Sequence, residues 1–185
     1  LARAWLDVEK QRGGFTVLAT EDKRRIEIGG LTLNARLDRV DQIEDGRRVV
    51  IDYKTGKASP GAIIGARPEE PQLPLYLVST EPDAVAVAFA QVRAGDMKFS
   101  GLARDADVLP DVRTLPDGKL KQAAPSGGQQ IEAWRAGLAG IAAVFAAGDA
   151  RVDPKRYPDT CRTCDVKPFC RIYERLENAL YEDAE

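Results

Sequence analysis

Residues 35–56 read ARLDRVDQIEDGRRVVIDYKTG, and this stretch decides the fold. Apolar and polar residues alternate from position 31 to position 42, which predicts a strand with one buried face. Glu44-Asp45-Gly46 is typical of a hairpin turn, and Val49-Val50-Ile51 just beyond it favours a buried central strand. The sequence therefore predicts two paired strands in the middle of a sheet.

The flanking sequence adds further strands and helices to this pair. A short helix is predicted over 1–12, and a long amphipathic helix over 129–147 has Ile131, Trp134, Leu138, Ile141, Val144 and Phe145 at helical spacing. The other predicted elements are strands over 15–20, 25–28, 84–92 and 98–102, a charged connection over 21–25, a helix opening at 69–71 and an irregular segment over 105–128. This pattern indicates an α/β domain in which a mostly antiparallel sheet is flanked by helices.

The composition limits the class of protein and its chemistry. Hydrophobic residues make up 44% and charged residues 30% of the 185 residues, which is typical of one globular domain with a substantial core. The net charge of -2 argues against a strongly basic protein that coats DNA. The chain contains no histidine, which excludes Ser-His-Asp triads, Cys-His pairs and histidine-bound zinc. Carboxylate, lysine and thiolate chemistry remain.

The ends of the chain give expectations about its setting. No apolar run is long enough for a membrane span, and the N-terminus lacks the layout of a secretory signal, so we expect a cytoplasmic protein without a membrane partner. Because residue 1 is not Met, we expect residues 1–185 to be a single domain from a longer chain. We expect the basic, cysteine-containing segment 151–185 to pack on that same domain.

The predicted strand pair brings two acidic side chains and a lysine together. Residues two apart in a strand point to the same side, so Asp52 and Lys54 share a face, and the neighbouring strand can place Asp38 beside them. Two adjacent carboxylates repel each other, and a hard cation such as Mg²⁺ removes that repulsion. Such a cation activates water, while an ammonium group steadies charge on a phosphate. The trio favours phosphodiester hydrolysis; a simple Asp–Lys salt bridge on a solvated sheet face is the alternative.

These residues resemble a known family. Asp38 followed by Asp52-Tyr53-Lys54 resembles the core of the PD-(D/E)xK nuclease superfamily. The segments 36–41 and 51–56 resemble its RecB/AddB branch, the C-terminal nuclease domain of DNA-repair proteins. The resemblance implies a restriction-endonuclease-like core, in which a central mixed β-sheet is flanked by helices. It also implies a Mg²⁺- or Mn²⁺-dependent deoxyribonuclease, an exonuclease above all, that acts in double-strand-break repair or recombination.

The resemblance also implies residue roles. Asp38, Asp52 and Lys54 would be catalytic, with Asp38, Asp52 and the Tyr53 carbonyl as metal ligands. The branch carries Gln-x-x-x-Tyr on a helix, and here Gln72 and Tyr76 would support or position DNA. Candidate phosphate contacts that lie near the motif in sequence are Arg36, Arg39 and Lys57, and Glu21 is a candidate for lining the same cleft. The implied partners are DNA and a helicase-like domain in the same chain or in a partner subunit.

Three cysteines form the second distinctive motif, Cys161-x-x-Cys164-x5-Cys170. Thiolates at such spacings bind a soft metal or an iron–sulfur cluster. In RecB/AddB-like nucleases, a triplet of this kind joins an upstream cysteine around a [4Fe–4S] cluster, so the full-length protein would have to supply the fourth ligand. Three free thiols, or zinc held together with Asp159 or Asp165, are the alternatives.

One feature of the family is missing from the sequence. The family usually has a His or Glu on a helix before the sheet, and residues 1–12 offer only Asp7 and Glu9. This departure keeps a second hypothesis open, a catalytically weak or inactive DNA-binding or scaffold module of the same fold. A metal-binding α/β domain unrelated to DNA is the third.

Overall fold

The computed structural model describes residues 1–162, 164–170, 172 and 174, which divide into two compact units, Leu1–Ala147 and Gly148–Glu185. The helices of the first unit are α1 (Ala2–Glu9), α2 (Gln72–Ser79) and α3 (Gly127–Ala146), with a 3₁₀ turn at Pro60–Ile63. Its strands are β1 (Phe15–Ile28), β2 (Leu31–Ile43), β3 (Arg48–Lys54), β4 (Ala86–Gln91), β5 (Lys98–Ala103) and β6 (Arg113–Thr114).

The second unit contains a 3₁₀ turn at Asp159–Cys161 and the helix α4 (Lys167–Cys170). The packing of segment 151–185 on the domain stays a prediction, and its residues 163, 171, 173 and 175–185 lie outside the described part of the chain. Across the residues that are described, every helix is too short or too polar to cross a membrane.

The six strands form one mixed sheet in the order β1-β2-β3-β4-β5-β6. The first three strands form an antiparallel meander, and β4 pairs antiparallel with β5. The pairs β3–β4 and β5–β6 are parallel. A parallel pair needs a crossover connection, and α2 lies in the connection between β3 and β4. The structure thus confirms an α/β fold of the restriction-endonuclease-like type, with a central mixed sheet and flanking helices.

Each face of the sheet has its own hydrophobic core. On one face, Val50 of β3 and Phe89 of β4 belong to a cluster with Tyr76 of α2 and Trp134 of α3. On the other face, the cluster contains Val49 and Ile51 of β3, Trp5 of α1 and Phe99 of β5. Because successive strand residues point to opposite faces, the strand places Asp52 on the same side as Val50, facing α2.

The first strand differs from its prediction. The expected charged connection over 21–25 is part of one continuous strand, β1, because pairing with β2 satisfies its backbone hydrogen bonds. The ladder joins Thr20 to Arg39 and Asp22 to Leu37 and skips the position between them. Glu21, at that position, has a φ of 52°, a left-handed conformation that few non-glycine residues adopt. The sheet therefore has a local irregularity beside Asp38.

The long helix α3 is only partly buried. Ser126 caps its first turn, and the indole Nε1 of Trp134 donates a 2.6 Å hydrogen bond to the carbonyl oxygen of Ile63. Towards its end, Ile141 and Phe145 are 44% and 68% exposed, although the sequence placed them on the same apolar stripe as Trp134. The stripe predicted the helix correctly, but its last two turns extend beyond the core of the first unit.

Candidate active site

The candidate site lies where β3 ends. Asp52 is 3% exposed, and Lys54 follows it on the same side of the strand. The β2–β3 ladder reaches only the pair Arg39–Ile51, so the next residue of β2, Asp38, has left the ladder. Its carboxylate Oδ2 accepts a 2.9 Å hydrogen bond from the backbone N–H of Tyr53. The structure therefore brings the three predicted catalytic residues together, as the strand register requires.

Lys54 lies between two carboxylates. Its Nζ is 3.3 Å from Oδ2 of Asp52 and 3.3 Å from Oε2 of Glu70, and it lies 5.5 Å from the centroid of the Phe89 ring. Glu70 belongs to the loop before α2, where its N–H donates a 2.9 Å hydrogen bond to the carbonyl oxygen of Ala62. Sequence reasoning missed Glu70, because acids and proline before a helix are explained by helix initiation alone.

Burial and neighbouring charges set the ionisation of the site. Burial raises the pKa of Asp52 above its ordinary value, and the charges of Asp38 and Glu70 raise it further, whereas Lys54 acts in the opposite direction. For Lys54 the largest influence is burial, which lowers its pKa, but Asp52 and Glu70 together outweigh it, so the pKa is raised. Lys54 therefore keeps its positive charge. That charge does not fully offset the cost of burying the ionised carboxylate of Asp52, whose pKa stays raised.

The donor set fits a hard divalent cation. Oδ2 of Asp52 is buried and makes no hydrogen bond within the described residues, although Nζ of Lys54 is close. A buried unsatisfied carboxylate oxygen is costly, and coordination to a cation would satisfy it. The described residues include no group of three acidic or thiol ligands that could hold a metal. Asp38 and Asp52 supply the one or two carboxylates that Mg²⁺ needs when water completes its shell.

The Gln72–Tyr76 pair fixes a strand to the helix beside it. The hydroxyl of Tyr76 donates a 2.7 Å hydrogen bond to the carbonyl oxygen of Arg36 and accepts a 2.9 Å hydrogen bond from Nε2 of Gln72. Tyr76 is only 4% exposed. The pair therefore holds β2 against α2 two residues before Asp38, and its predicted contact with DNA stays a prediction.

A second residue that sequence reasoning missed organises the loops around the site. Gln91 lies opposite Lys54 in the β3–β4 ladder and is buried. Its Oε1 accepts a 2.6 Å hydrogen bond from the N–H of Ala58, and its Nε2 donates a 2.7 Å hydrogen bond to the carbonyl oxygen of Asp96. The loops that follow β3 and β4 are thus joined through one side chain. The only signal in the sequence is a polar residue at the end of an apolar strand.

The two predicted arginine contacts differ in position. Arg36 is exposed, with its Nε 2.9 Å from Oε2 of Glu21. Arg39 is buried, and its guanidinium donates hydrogen bonds to Asp41, Glu9 and the Tyr53 hydroxyl at 2.6, 2.8 and 2.9 Å. Burial, the largest single influence, lowers the pKa of Arg39, but Asp41 and Tyr53 outweigh it, so the pKa is raised. Arg39 is thus committed to a buried ion network on the α1 side of the sheet, and its predicted contact with phosphate stays a prediction.

The same network accounts for one of the two acids of α1. Glu9 also lies 2.8 Å from Nη1 of Arg12, whose guanidinium stacks on the Phe15 ring at 3.8 Å. Its two oxygens therefore pair with Arg12 and Arg39 instead of facing the Asp52 carboxylate. Asp7 is exposed and pairs with Lys10 at 3.1 Å. In this arrangement neither acid joins Asp38 and Asp52, so the missing family ligand has no evident substitute in α1.

The cysteines lie in the second unit. Cys161, Cys164 and Cys170 are half-buried free thiols, and Sγ of Cys170 donates to the carbonyl oxygen of Lys167 at 3.7 Å. Among the described residues, they do not form a group that could hold a metal. The iron–sulfur cluster that the sequence implied therefore has no support in the arrangement of the thiols.

The sheet and its acidic site define a restriction-endonuclease-like protein. The model of the PD-(D/E)XK nuclease superfamily matches residues 1–171, and the chain belongs to that superfamily. Its members are nucleases that generally use Mg²⁺ or Mn²⁺.

The similarity of the chain to individual known proteins is low. None of the curated proteins is significantly similar to this chain. Among solved structures, that of SSO0001 is 22% identical, with a TM-score of 0.33. The match covers 53% of this chain and spans 48% of the other, about half of its length.

Proposed function

We propose that this chain is a RecB/AddB-like nuclease domain that hydrolyses DNA phosphodiester bonds with Mg²⁺ or Mn²⁺. The observation that carries the proposal is the buried carboxylate of Asp52, with an oxygen that makes no hydrogen bond within the described residues and an ammonium group 3.3 Å away. A simple surface salt bridge would leave both groups in water, but Asp52 is 3% exposed. The geometry thus favours a site for a cation and a phosphate over the salt-bridge alternative.

The residues would divide the work of hydrolysis between them. Asp38 and Asp52 would hold the cation, with the Tyr53 carbonyl as a further ligand, and the cation supplies Lewis acidity when it is bound. The oxygen of a water molecule would form the new bond to phosphorus while the bond to the leaving oxygen breaks. The water would give up one proton to solvent and the leaving oxygen would take one up from solvent, so that a phosphate monoester and a free hydroxyl result. Lys54 donates hydrogen bonds to a phosphate oxygen or to the attacking water, which steadies the developing charge.

Glu70 and Tyr76 would keep this arrangement in place. Glu70 is the second carboxylate beside the ammonium of Lys54, at the same 3.3 Å from Nζ as Asp52. Tyr76 holds the backbone of Arg36, and through it the start of the segment that carries Asp38. Both are supporting groups, because neither has to contact the reacting phosphate.

The wider role rests on the resemblance of segments 36–41 and 51–56 to RecB/AddB proteins. We propose an exonuclease that acts in DNA double-strand-break repair or recombination in the cytoplasm. A helicase-like domain, in the same chain or in a partner subunit, would deliver the DNA end.

Metal-dependent degradation of DNA tests the proposal. End-labelled linear DNA, single- and double-stranded, is incubated with the protein in Mg²⁺, in Mn²⁺ and in chelator, next to closed circular DNA of the same sequence. An exonuclease shortens the linear DNA in either metal, leaves the circle intact and is silent in chelator. Cutting of the circle would overturn the exonuclease assignment, and cutting in chelator would overturn the metal site.

The pairing of Glu9 favours one alternative, a DNA-binding or scaffold module of the same fold with weak or no catalysis. Glu9 is committed to Arg12 and Arg39, so the acidic site contains two carboxylates from β2 and β3 without a third from α1. A module of this kind would bind linear DNA and leave it uncut in both metals. Incubation of linear DNA with either metal therefore distinguishes the two functions directly.

A further inference from the structure

Two loops leave the sheet beside the candidate active site. The strands β3 and β4 are parallel neighbours that end together, with Lys54 and Gln91 as their last residues. We call residues 55–58 the β3 loop and residues 92–97 the β4 loop. Because neighbouring strands are about 4.8 Å apart, the two loops begin close to each other. In α/β sheets, ligands bind at the carboxyl ends of parallel strands, where these loops lie.

Gln91 anchors both loops on the face of the sheet that carries the candidate site. Phe89 belongs to the core on the α2 side, and Gln91 follows it by two residues, so it faces the same side. In the ladder Gln91 is directly opposite Lys54. Its buried side chain holds the β3 loop at Ala58 and the β4 loop at Asp96, through hydrogen bonds of 2.6 and 2.7 Å. The two loops are therefore fixed next to the catalytic lysine.

Each loop carries one exposed cation without a direct ion pair. Lys57 and Arg93 are exposed, and neither has an acidic partner within 4.0 Å among the described residues. The single acid of the two loops is Asp96, which pairs with Lys98 at 2.7 Å. Hydrogen bonds from Lys98 and then Gln91 lower the pKa of Asp96, and the charge of Arg93 acts more weakly in the same direction. The two loops therefore present positive charge that their own acid does not pair.

The acids of the candidate site are themselves engaged. The ammonium group of Lys54 lies 3.3 Å from Asp52 and 3.3 Å from Glu70. The carboxylate of Asp38 accepts a hydrogen bond from the backbone of Tyr53. A cation held by Asp38 and Asp52, as the proposed function requires, would offset their charge further. An anionic strand at the site would therefore meet its strongest unpaired attraction at Lys57 and Arg93.

We infer that Lys57 and Arg93 bind backbone phosphates of the DNA strand beside the bond that is cut. Lysine supplies a point charge and arginine a planar pair of donors, and both suit phosphate oxygens. A strand whose reacting phosphate lies at Lys54 continues past the end of β3, where the two loops are. Lys57 was a candidate because of its place in the sequence, whereas Arg93 reaches the same end of the sheet only through the β3–β4 pairing. The inference rests on the proposed nuclease function and names residues that hold its substrate.

Binding in the absence of cleavage tests the inference. The full chain is titrated in chelator onto fluorescein-labelled single- and double-stranded DNA, with anisotropy read at several salt concentrations between about 50 and 200 mM. The test variant is Lys57→Gln with Arg93→Gln. The matched control is Lys121→Gln with Arg3→Gln, which removes one exposed lysine and one exposed arginine outside the site. Each lost phosphate contact lowers the slope of log Kd against log salt by about 1, so the test variant should lose about 2 and the control nothing.

A charge-retaining variant separates charge from folding. Lys57→Arg with Arg93→Lys keeps both positive charges, so its salt slope should equal that of the wild type. A slope reduced as far as in the test variant would overturn the role of the charges. Because both residues are exposed, thermal unfolding should give each variant the melting temperature of the wild type.

The outcomes separate this inference from the proposed function. Binding that is weaker by about tenfold or more, with a smaller salt slope, in the test variant alone supports the inference. If the wild type then leaves DNA uncut in Mg²⁺ and in Mn²⁺, the nuclease function fails while the binding residues stand. Equal binding and equal slopes in the test and control variants overturn the inference, even if the wild type cuts. It is also overturned if the wild type shows no salt-sensitive binding to DNA.

Discussion

At the scale of single residues, the candidate site depends on one buried carboxylate. Asp52 is on the α2 side of β3 because successive side chains of a strand point to opposite faces. Its charge is only partly balanced, because the ammonium group of Lys54 is shared with Glu70. The strand thus keeps an acid in a place where folding alone favours an apolar or neutral residue. This conflict between stability and charge is typical of a functional site.

The Asp52→Asn substitution should make the free energy of unfolding of the metal-free protein less dependent on pH. The pKa of Asp52 is raised in the folded state, so its contribution favours folding below the ordinary pKa of 3.8 and is lost as the pH rises through the raised value. The wild type should therefore lose stability relative to the asparagine variant from about pH 4 upward. Urea unfolding in chelator at several pH values measures this, and a constant difference between the two proteins would contradict the burial argument.

Tyr76→Phe should destabilise the protein by about 1–2 kcal/mol. The variant retains the ring in the core but removes a hydroxyl that bonds Gln72 and the carbonyl oxygen of Arg36. Urea unfolding gives the free energy of unfolding directly. Tyr157→Phe is the control, because this tyrosine is 50% exposed, and its effect should stay within about 0.5 kcal/mol. Equal effects of the two substitutions would show that the hydroxyl of Tyr76 is not a structural link.

At the scale of elements, α1 is joined to β2 by a buried ion network as well as by Trp5. Glu9 and Arg12 come from the helix and its end, Arg39 and Asp41 from the strand, and the four charges balance. Tyr53 links this network to the site, because its hydroxyl accepts from Arg39 and its N–H donates to Asp38. Through Arg39 and Tyr53, α1 on one face of the sheet therefore helps to fix the carboxylate of Asp38 in the candidate site.

Arg39→Met should cost about 3–5 kcal/mol of folding free energy, because it leaves buried carboxylates without their counter-charge. Lys10→Met is the control: it removes the exposed pair with Asp7, which is worth less than about 1 kcal/mol. Denaturant unfolding of both variants measures the contrast. A loss for Arg39→Met as small as that of the control would mean that the network is hydrated in solution.

Two glycines test the packing of β5 and α3. A Cβ at Gly101 in β5 would clash with the carbonyl oxygen of Val87, so Gly101→Ala should cost about 1–3 kcal/mol. A Cβ at Gly140 in α3 would meet nothing within 4 Å, so Gly140→Ala should stabilise the protein by about 0.5–1 kcal/mol. Thermal and denaturant unfolding check both signs. Destabilisation by the helix variant would indicate that the exposed end of α3 is covered in solution.

At the scale of the whole molecule, much of the fold could be predicted from local patterns. Strand alternation and the turn at 44–46 indicated the β2–β3 pair, and the two-residue spacing of Asp52 and Lys54 was enough to place them on one face. The approach of Asp38 followed from the hairpin turn alone. These features depend on residues that are close in sequence, so the two-residue alternation of side chains along a strand is sufficient to predict them.

Features that depend on distant segments could not be predicted. Glu70 meets Lys54 only because the crossover through α2 returns to the end of β3, and no local pattern encodes that return. Arg39 was a candidate phosphate contact because it is near the motif in sequence, but its position in a buried ion network depends on Glu9, which is 30 residues away. The cysteine spacing predicted a cluster that the arrangement of the thiols does not support, because spacing alone does not determine whether side chains converge.

The decisive test of the active site is DNA cleavage by the Lys54→Ala variant. Cleavage is measured in Mg²⁺ and in Mn²⁺, and DNA binding is followed in the same samples. We predict that the variant binds DNA like the wild type and loses cutting by about two orders of magnitude or more, since it lacks the charge that steadies the phosphate. Lys121→Ala, an exposed lysine outside the site, should cut like the wild type. Undiminished cutting by Lys54→Ala would contradict the assignment of the active site to the end of β3.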